Sequence, residues 1–352
     1  MPKTPPPPAP KKANRSKTPV KPAPLKKFTY TPITISGHDV RLMKRDGPRH
    51  PLVPARDPHY CFREDLLREI AWSLWPHDGG QPMAVALVGQ KGSGKTSLIE
   101  QVAAHCNIPV WRINLNSGTT VRYLKGRTGA KDGSTHEILG PVPLAMEAGG
   151  ILLLDEVSGG TPPVNLSLFP VLEPTGAVFL EEGDPPRYVR RHPDFRICVT
   201  DNTIGADQAE TRFLYQGTNL MNAALLDRVD TTLQVPYLDP EAERRTVEAR
   251  VGMPKDKKLR QIMQLNIEGM VRVAGHARET PDIGGGFSHR MLVSWARRVC
   301  AGRMAASGRV TRQGRVSEIV SAAHPAFLTK MPSPEDREAI LEIIQRVFGA
   351  SE

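Results

Sequence analysis

Residues 83–102, MAVALVGQKGSGKTSLIEQV, hold the pattern that decides the fold. The first six residues are apolar and rich in β-formers, which is typical of a buried strand in a parallel sheet. Gly89 ends the strand, and Gly94, Lys95 and Thr96 follow it at the spacing of a phosphate-binding P-loop. An apolar-periodic segment then predicts a helix that begins near Lys95. The stretch therefore predicts a strand, a phosphate loop and a helix, in that order.

Each residue type in this loop has a physical role toward phosphate. Glycines let the backbone turn so that successive N–H groups point at phosphate oxygens, and the helix N-terminus adds a positive end. Lys95 supplies a charge for the β- and γ-phosphates, and the Thr96 hydroxyl is a ligand for Mg²⁺. We therefore expect ATP and Mg²⁺ as cofactors, held by Gly89, Gly92, Ser93, Gly94, Lys95, Thr96 and Ser97. The alternative is a glycine-rich strand–helix turn without a ligand.

Two further apolar strands end in polar residues. ILLLDEVS, residues 151–158, predicts Asp155 as a Mg²⁺ ligand and Glu156 as the group that orients and deprotonates the attacking water. FRICVT, residues 195–200, is followed by Asp201 and Asn202, and we expect Asn202 to reach the γ-phosphate or the water. The alternatives are an acidic helix cap after the first strand and an ordinary turn after the second.

The charge of the chain is concentrated at its N-terminus. The 352 residues have a formal net charge of +10, but residues 1–27 hold eight Lys/Arg, nine prolines and no Asp/Glu. Without that segment the net charge of the other 325 residues is +2. The composition predicts a disordered tail, either a solvated tether or a segment that touches an anionic partner. The near-neutral remainder disfavours a nucleic-acid motor, which needs a basic channel.

Cysteine usage and hydropathy indicate a cytoplasmic protein. The four cysteines are far apart in the sequence, and we expect reduced thiols. No stretch approaches the roughly 18 apolar residues of a membrane span, and the N-terminus has no secretory signal. The histidines show no metal-ligand spacing, so Mg²⁺ is the one metal that the sequence predicts.

The order of the three strands and the sequences between them resemble those of the AAA+ ATPases. The similarity is strongest to the MoxR group, and within it to the ATPase subunits of aerobic cobaltochelatases. It covers roughly residues 55–305 and is carried by the stretches GPVPLAMEAGGILLLDEVSGG, LSLFPVLEPTGAVFLEEG, HPDFRICVTDNT and FLYQGTNLMNAALLDRVDTTLQVPYL. The resemblance implies an α/β fold, with a three-layer αβα parallel sheet followed by a small helical lid.

Four parts of the chain are expected on this basis. A tail occupies residues 1–27, an N-terminal extension 28–60, the nucleotide-binding domain 61–236 and the helical lid 237–352. Apolar residues at three- and four-residue spacing predict the helices of the lid, with Met291, Trp295 and Val299 in its core.

The resemblance also implies roles for two arginines. Arg228, in ALLDRVD, matches the arginine finger that reaches the nucleotide of the neighbouring subunit, and Arg290, in FSHRMLV, matches the second sensor on the lid. The forked, permanently charged guanidinium suits a developing phosphoryl charge. The alternatives are a surface ion pair for Arg228 and an exposed helix residue for Arg290. Asn202 matches the first sensor.

Two positions depart from the family pattern. Relatives commonly have Ser-Pro-Arg at the second sensor, where this chain has Ser288-His289-Arg290, which leaves the start of that helix open. Asp201 stands where small residues are usual, so the hydrogen bonding next to Asn202 is also open.

Two hairpins are predicted inside the nucleotide-binding domain. One lies near residues 126–140, where the resemblance implies an insertion, and the other lies at 176–193, with a turn at Gly183-Asp184-Pro185-Pro186. In a ring, such loops face the central channel, and the arginines of the second one can grip an anionic partner. The alternative is two ordinary surface hairpins.

These features predict an ATP-hydrolysing ring, hexameric in the family, that remodels or activates a partner protein complex. Catalysis would involve Glu156, Asn202, Arg228 and Arg290. Insertion of a metal or cofactor is the special case that the cobaltochelatases represent. Relatives often work with a von Willebrand factor A type partner, which would here be a separate chain. Two alternatives remain: a nucleic-acid motor that uses the basic tail, and a nucleotide-gated assembly module without turnover.

Overall fold

A computed structural model describes residues 27–76, 82–131, 134–173, 175–182, 185–202, 225, 227–280, 283, 286–305 and 312–349. The predicted tail, apart from Lys27, lies outside the described residues, as do residues 183–184 of the second predicted hairpin turn and the whole of the stretch 203–224. Among the described residues, no helix has both the length and the apolar character needed to cross a membrane. The four cysteines are free thiols.

The strands fall into one central sheet and three two-stranded pairs. In chain order they are β1 Tyr30–Thr34, β2 Arg41–Arg45, β3 Val85–Val88, β4 Val110–Asn114, β5 Gly126–Lys131, β6 Ser134–Leu139, β7 Gly150–Asp155, β8 Ala177–Leu180, β9 Arg187–Arg190, β10 Phe195–Asp201 and β11 Thr231–Gln234.

Ten α-helices are described. In chain order they are α1 Glu64–Leu74, α2 Lys95–Cys106, α3 Val121–Lys125, α4 Pro141–Ala148, α5 Pro162–Leu172, α6 Pro240–Val251, α7 Lys257–Glu279, α8 His289–Ala305, α9 Arg312–Ala326 and α10 Pro334–Gly349.

The central sheet has the strand order β11-β3-β10-β7-β4, and all four pairings are parallel. The three inner strands, β3, β10 and β7, are buried on both faces, whereas the edge strands β4 and β11 alternate buried and more exposed residues. Alternate residues of β3 enter different cores: Ala86 packs with residues of α4 and α5, whereas Val85 and Leu87 pack with residues of α1 and α2. The predicted three-layer α/β fold is confirmed.

The helical C-terminal part has its own core. Trp295 is fully buried on α8, its indole N–H donates to the Ile319 carbonyl at 2.9 Å, and its ring lies edge-on to Phe327. Val299 is buried in the same cluster and Met291 packs against it. These three predicted core residues of the lid therefore lie where the 3.6-residue period places them.

The remaining strands form three antiparallel pairs. β1 pairs with β2, β5 with β6, and β8 with β9. The last two pairs lie within residues 126–140 and 176–193, the regions in which the sequence predicts hairpins.

Candidate nucleotide-binding and hydrolysis site

The loop between β3 and α2 is held in a conformation that requires glycine at two positions. Gly89 and Gly92 have φ angles of 146° and 79°. A Cβ on Gly89 would lie 2.4 Å from the Val235 carbonyl oxygen, and a Cβ on Gly92 would lie 2.6 Å from the Ser288 Cβ. The loop therefore packs directly on the chain after β11 and on the start of the lid helix α8.

Lys95, the first residue of α2, lies in a buried polar cluster. Its Nζ donates to the carbonyls of Gly89 and Gln90 at 2.8 and 3.0 Å and to Asn202 Oδ1 at 2.8 Å. Burial lowers the pKa of Lys95 to about 8, although the nearby carboxylates of Asp201, Asp155 and Glu156 oppose that shift. The predicted lysine and first sensor are thus in direct contact.

Asp155 ends β7 and is the most heavily bonded acid at this edge of the sheet. Its Oδ1 accepts the Thr96 hydroxyl at 2.8 Å and the Thr200 hydroxyl, and its Oδ2 accepts Arg112 Nε at 3.0 Å. Arg112 also contacts Glu100 at 3.1 Å. The carboxylate is only 5% exposed, and the three donors replace the water that it loses on burial.

The Thr96–Asp155 pair fits a magnesium ion. A hydroxyl and a carboxylate are hard oxygen ligands, and Mg²⁺ is ordinarily held by one or two such groups together with phosphate oxygens and water. The described residues contain no cluster of three or more His, Cys, Asp or Glu side chains suited to a metal.

Glu156 is exposed and follows Asp155 in a left-handed backbone conformation, with φ 56° and ψ 55°. Its backbone N–H donates to the Thr200 hydroxyl at 3.3 Å. A non-glycine residue in this region is uncommon, and such residues concentrate at functional sites. The conformation separates Glu156 from its neighbour Asp155, one exposed to solvent and the other buried.

Asp201 has a partner that the sequence did not reveal. Its carboxylate accepts the Ser158 backbone N–H at 2.8 Å and the Ser158 hydroxyl at 2.9 Å. The residue that departs from the family pattern therefore binds the turn after Glu156, and the adjacent Asn202 amide oxygen is held by Lys95.

Two loop hydroxyls differ in their surroundings. Ser93 Oγ is buried and has no hydrogen-bond partner within the described part of the chain. Ser97 is exposed in the first turn of α2. Because a buried hydroxyl ordinarily finds a partner, the orphaned Ser93 oxygen is consistent with a polar ligand in this loop.

The lid approaches the loop through residues that include Ser288 and His289, where this chain departs from the Ser-Pro-Arg pattern of the family. Ser288 Oγ accepts the Met291 N–H at 3.3 Å, which caps α8 without the family's proline. His289 Nδ1 lies 2.9 Å from Glu243, a buried acid that also forms a salt bridge with Arg278. Burial alone would raise the pKa of Glu243, but hydrogen bonds from Arg278 and His289 outweigh it and leave that pKa below its usual value.

Arg278 extends this cluster to the loop itself. Its guanidinium lies 3.8 Å from the Tyr237 ring centroid, and the Tyr237 hydroxyl donates to the Lys91 carbonyl at 2.8 Å. On the same lid, Arg290 is exposed, and its charge acts to lower the pKa of Lys95. Arg290 therefore lies within electrostatic range of the phosphate loop.

Arg228 has partners on α5 and just beyond it. Its Nε donates to Glu173 Oε1 at 3.0 Å, and its guanidinium lies 4.4 Å from the Phe169 ring centroid. The side chain is about one third exposed.

Comparisons with known proteins identify the family. The AAA domain model of the dynein-related subfamily matches residues 84–229. The chain belongs to the AAA+ ATPases, of the MoxR-like kind, and it is an ATPase.

Three relatives illustrate the range of this family. The aerobic cobaltochelatase subunit CobS of Sinorhizobium sp is 34% identical over 84% of this chain and 83% of its own length. The gas vesicle ATPase GvpN1 of Halobacterium salinarum is 30% identical over 58% of this chain and 59% of its own length. BssE of Thauera aromatica, named as a candidate chaperone, is 24% identical over 71% of this chain and 80% of its own length.

Proposed function

We propose that the chain is a magnesium-dependent AAA+ ATPase that assembles into a ring, six-membered as is common in the family, and remodels or activates a partner protein complex. The observation that carries the proposal is the meeting of Lys95, Thr96, Asp155 and Asn202 at the carboxyl edge of one sheet. Phosphoryl transfer needs charge neutralisation and a placed nucleophile, and these residues supply the first.

Each group has a distinct task in the proposed reaction. Bound Mg²⁺ would be held by Thr96 and Asp155 and would neutralise charge on the phosphates. Lys95, released from its own loop carbonyls, would bind the β- and γ-phosphates as a cation. Glu156, exposed beside buried Asp155, would accept a proton from the attacking water, and Asn202 would orient that water or the γ-phosphate.

The two arginines would complete the site from the lid and from a neighbouring copy. Arg290 acts on Lys95 electrostatically within one chain, which supports a role as the second sensor. Arg228 is paired with Glu173, and we propose that it exchanges this partner for the neighbour's nucleotide when the ring forms. An arginine supplied in trans stabilises the charge of a phosphoryl transition state.

A mixing experiment tests the shared site. Glu156→Gln and Arg228→Ala proteins should each bind ATP without turnover, whereas their equimolar mixture should regain turnover at about one interface in four, because only that fraction joins an intact Glu156 to an intact Arg228. Phosphate release and ring formation are measured on the same samples. The control mixture joins Glu156→Gln to the Glu156→Gln/Arg228→Ala double variant, in which every chain lacks the base. Assembled mixed rings without recovered turnover would contradict the shared site.

The proposed contact with the partner lies on the two hairpins. Glu182, just after β8, accepts the Thr128 N–H at 3.0 Å and Arg122 at 3.1 Å, which joins the second hairpin to the first. Arg187 on β9 in turn contacts Glu137 on β6 at 3.0 Å. The two hairpins therefore contact each other through these side chains, as is required of loops that act together on one substrate.

An apolar patch crosses these hairpins. Phe179 and Tyr188 contact each other across β8 and β9, with ring centroids 4.8 Å apart and ring planes tilted by 40°, and Tyr188 is 66% exposed. Ile138 is exposed on the neighbouring hairpin. Exposed aromatic residues on paired loops are suited to transient contact with a polypeptide, which we propose as the substrate class.

The partner can be found with a trapped ring. Glu156→Gln protein, loaded with ATP in the host, should retain the client, and identification of the co-purifying chains would show whether a von Willebrand factor A type protein or a metal-insertion complex is among them. Adding Tyr188→Ala should reduce that recovery several-fold. Trp72→Ala, which removes a 51% exposed aromatic from α1, is the matched control. Equal losses for both variants would argue against the hairpin surface.

A further inference from the structure

Asp201 joins two segments of the site that are 43 residues apart in sequence. Its side chain is almost fully buried at the end of β10 and binds both the backbone N–H and the hydroxyl of Ser158, which is equally buried. A buried carboxylate without donors is costly, so the two hydrogen bonds fix the position of the turn as well as the charge of the acid.

That turn carries Glu156 in its left-handed conformation. Inside it, the Gly159 N–H donates to the Glu156 carbonyl at 2.9 Å, and the Glu156 N–H donates to Thr200. A conformation of this kind persists only where the surroundings determine it. Here two consecutive residues of β10, Thr200 and Asp201, fasten the turn before and after the glutamate.

The next residue of the same strand end is the sensor. Asn202 contacts Lys95 at 2.8 Å, so the short run 200–202 touches the acidic strand, the glutamate turn and the phosphate-binding lysine in succession. Thr200 and Asp201 pair with Leu87 and Val88 of β3, and Asn202 follows them directly, so a shift of Asn202 acts on Asp201 through one peptide bond.

We propose that Asp201 is a positioning residue for Glu156, and that it couples the position of Asn202 to the turn that holds the catalytic base. The inference rests on the proposed ATPase mechanism and deepens it. A displacement of Asn202 on nucleotide binding is transmitted through Asp201 to Ser158, and from there to Glu156. The site thus aligns its base through its sensor.

The principal test removes the carboxylate in the full-length protein. Measured at about pH 6.5, to keep Lys95 mostly charged, Asp201→Ala should lower turnover about tenfold or more through misalignment of the base, with ATP affinity changed less than about threefold. Turnover is followed by phosphate release, and affinity by titration with a fluorescent ATP analogue. Asp194→Ala is the matched control, because it removes a buried acid just before the other end of β10. It should lower the unfolding temperature and leave turnover per folded molecule unchanged.

A double-variant comparison separates positioning from general damage. In a Glu156→Gln background, Asp201→Ala should cause no further fall in the slow residual single-turnover rate, measured with enzyme in excess over ATP, because the group that it positions is already absent. If Asp201 had a purely structural role, Asp201→Ala would lower the rate by a similar factor in the wild-type and in the Glu156→Gln background. Ser158→Ala, which keeps the backbone hydrogen bond to Asp201, should lower turnover about threefold and provides the test if Asp201→Ala does not fold.

The outcomes are distinguishable. Wild-type turnover in folded Asp201→Ala and Ser158→Ala proteins, or a multiplied loss in the Glu156→Gln background, overturns the positioning role and leaves the proposed function in place. A wild-type protein that does not release phosphate, or a Glu156→Gln protein with full turnover, overturns the proposed function and the positioning role with it.

Discussion

Charged residues gather near both ends of β10, but they are arranged differently at the two ends. Near the amino end, Arg196 is 2% exposed, and its guanidinium donates to the Leu74 carbonyl at 3.0 Å, to the Asp194 carbonyl and to the Tyr30 hydroxyl. It also lies between the rings of Tyr30 and Trp75. Its charge is enclosed by protein groups.

Near the carboxyl end, the polar groups are only partly satisfied by the protein. Glu156 is exposed, Asn202 is half-buried and Ser93 has a buried hydroxyl without a described partner. Lys95 has a lowered pKa, and Glu156 has an uncommon backbone conformation. An enclosed charge stabilises a fold, whereas an exposed carboxylate and a buried hydroxyl with no described protein partner are suited to binding a ligand and to chemistry.

The largest expected effect on ATP binding is that of a substitution near the carboxyl end of β10. Lys95→Ala should weaken ATP binding at least about a hundredfold, because the charge that meets the phosphates is lost from a partly desolvated site. The free energy of unfolding should change little, since the cost of burying the charged lysine offsets much of what its hydrogen bonds contribute. Titration with a fluorescent nucleotide measures the affinity. Lys91→Ala, in the same loop but exposed, is the control, and an unchanged affinity for Lys95→Ala would refute the site.

A substitution near the amino end of β10 should lower the stability of the fold and leave ATP binding nearly unchanged. Arg196→Met should lower the free energy of unfolding by about 3 kcal/mol, because it takes the guanidinium donor from the Leu74 carbonyl, breaks the other two hydrogen bonds of Arg196 and removes two cation–π contacts. ATP affinity per folded molecule should remain within about twofold of wild type, since no nucleotide ligand is affected. Denaturant unfolding and nucleotide titration on one preparation provide both values. A loss of affinity without a loss of stability would reverse the proposed division between the two ends.

A smaller effect should appear in the pH dependence of binding. Since Lys95 has a pKa of about 8 before the nucleotide binds, it is mostly charged at pH 7 and mostly neutral at pH 9. Phosphate favours the charged form, so ATP affinity should fall about tenfold between pH 7 and pH 9, with proton uptake on binding near pH 8. Calorimetry in buffers of different ionisation enthalpy measures the uptake. An affinity independent of pH over this interval would show that Lys95 is already fully charged in the free protein.

Local patterns were enough to predict the fold and the first part of the site. The strand–loop–helix around Lys95, the acidic strand ending at Asp155 and the strand before Asn202 are each contained in fewer than 25 consecutive residues. Their meeting at one edge follows from the parallel order of the strands. The core of the lid followed from helical spacing for the same reason, since Trp295 and Val299 lie one turn apart.

Contacts between distant segments were not predictable from the sequence. In the sequence Arg112 is an isolated charged residue within a strand. Its contact with Asp155 depends on the pairing of β4 with β7. The Ser158–Asp201 pair and the Tyr237–Lys91 contact join residues 43 and 146 positions apart. The one available signal was the departure at Asp201, an acid where relatives have a small residue. The roles of Arg228 and Arg290 stay predictions, because they depend on nucleotide and on a neighbouring copy.

The attachment of Phe28 has a practical consequence for labelling. Its backbone N–H donates to Asp194 at 2.6 Å, at the amino edge of the sheet, and β10 separates that point from the nucleotide edge by about 20 Å. A fluorophore or affinity handle placed before residue 28 therefore joins the folded body on the side away from the reaction centre. An affinity handle placed there attaches the protein to a surface through the edge of the sheet opposite the nucleotide edge.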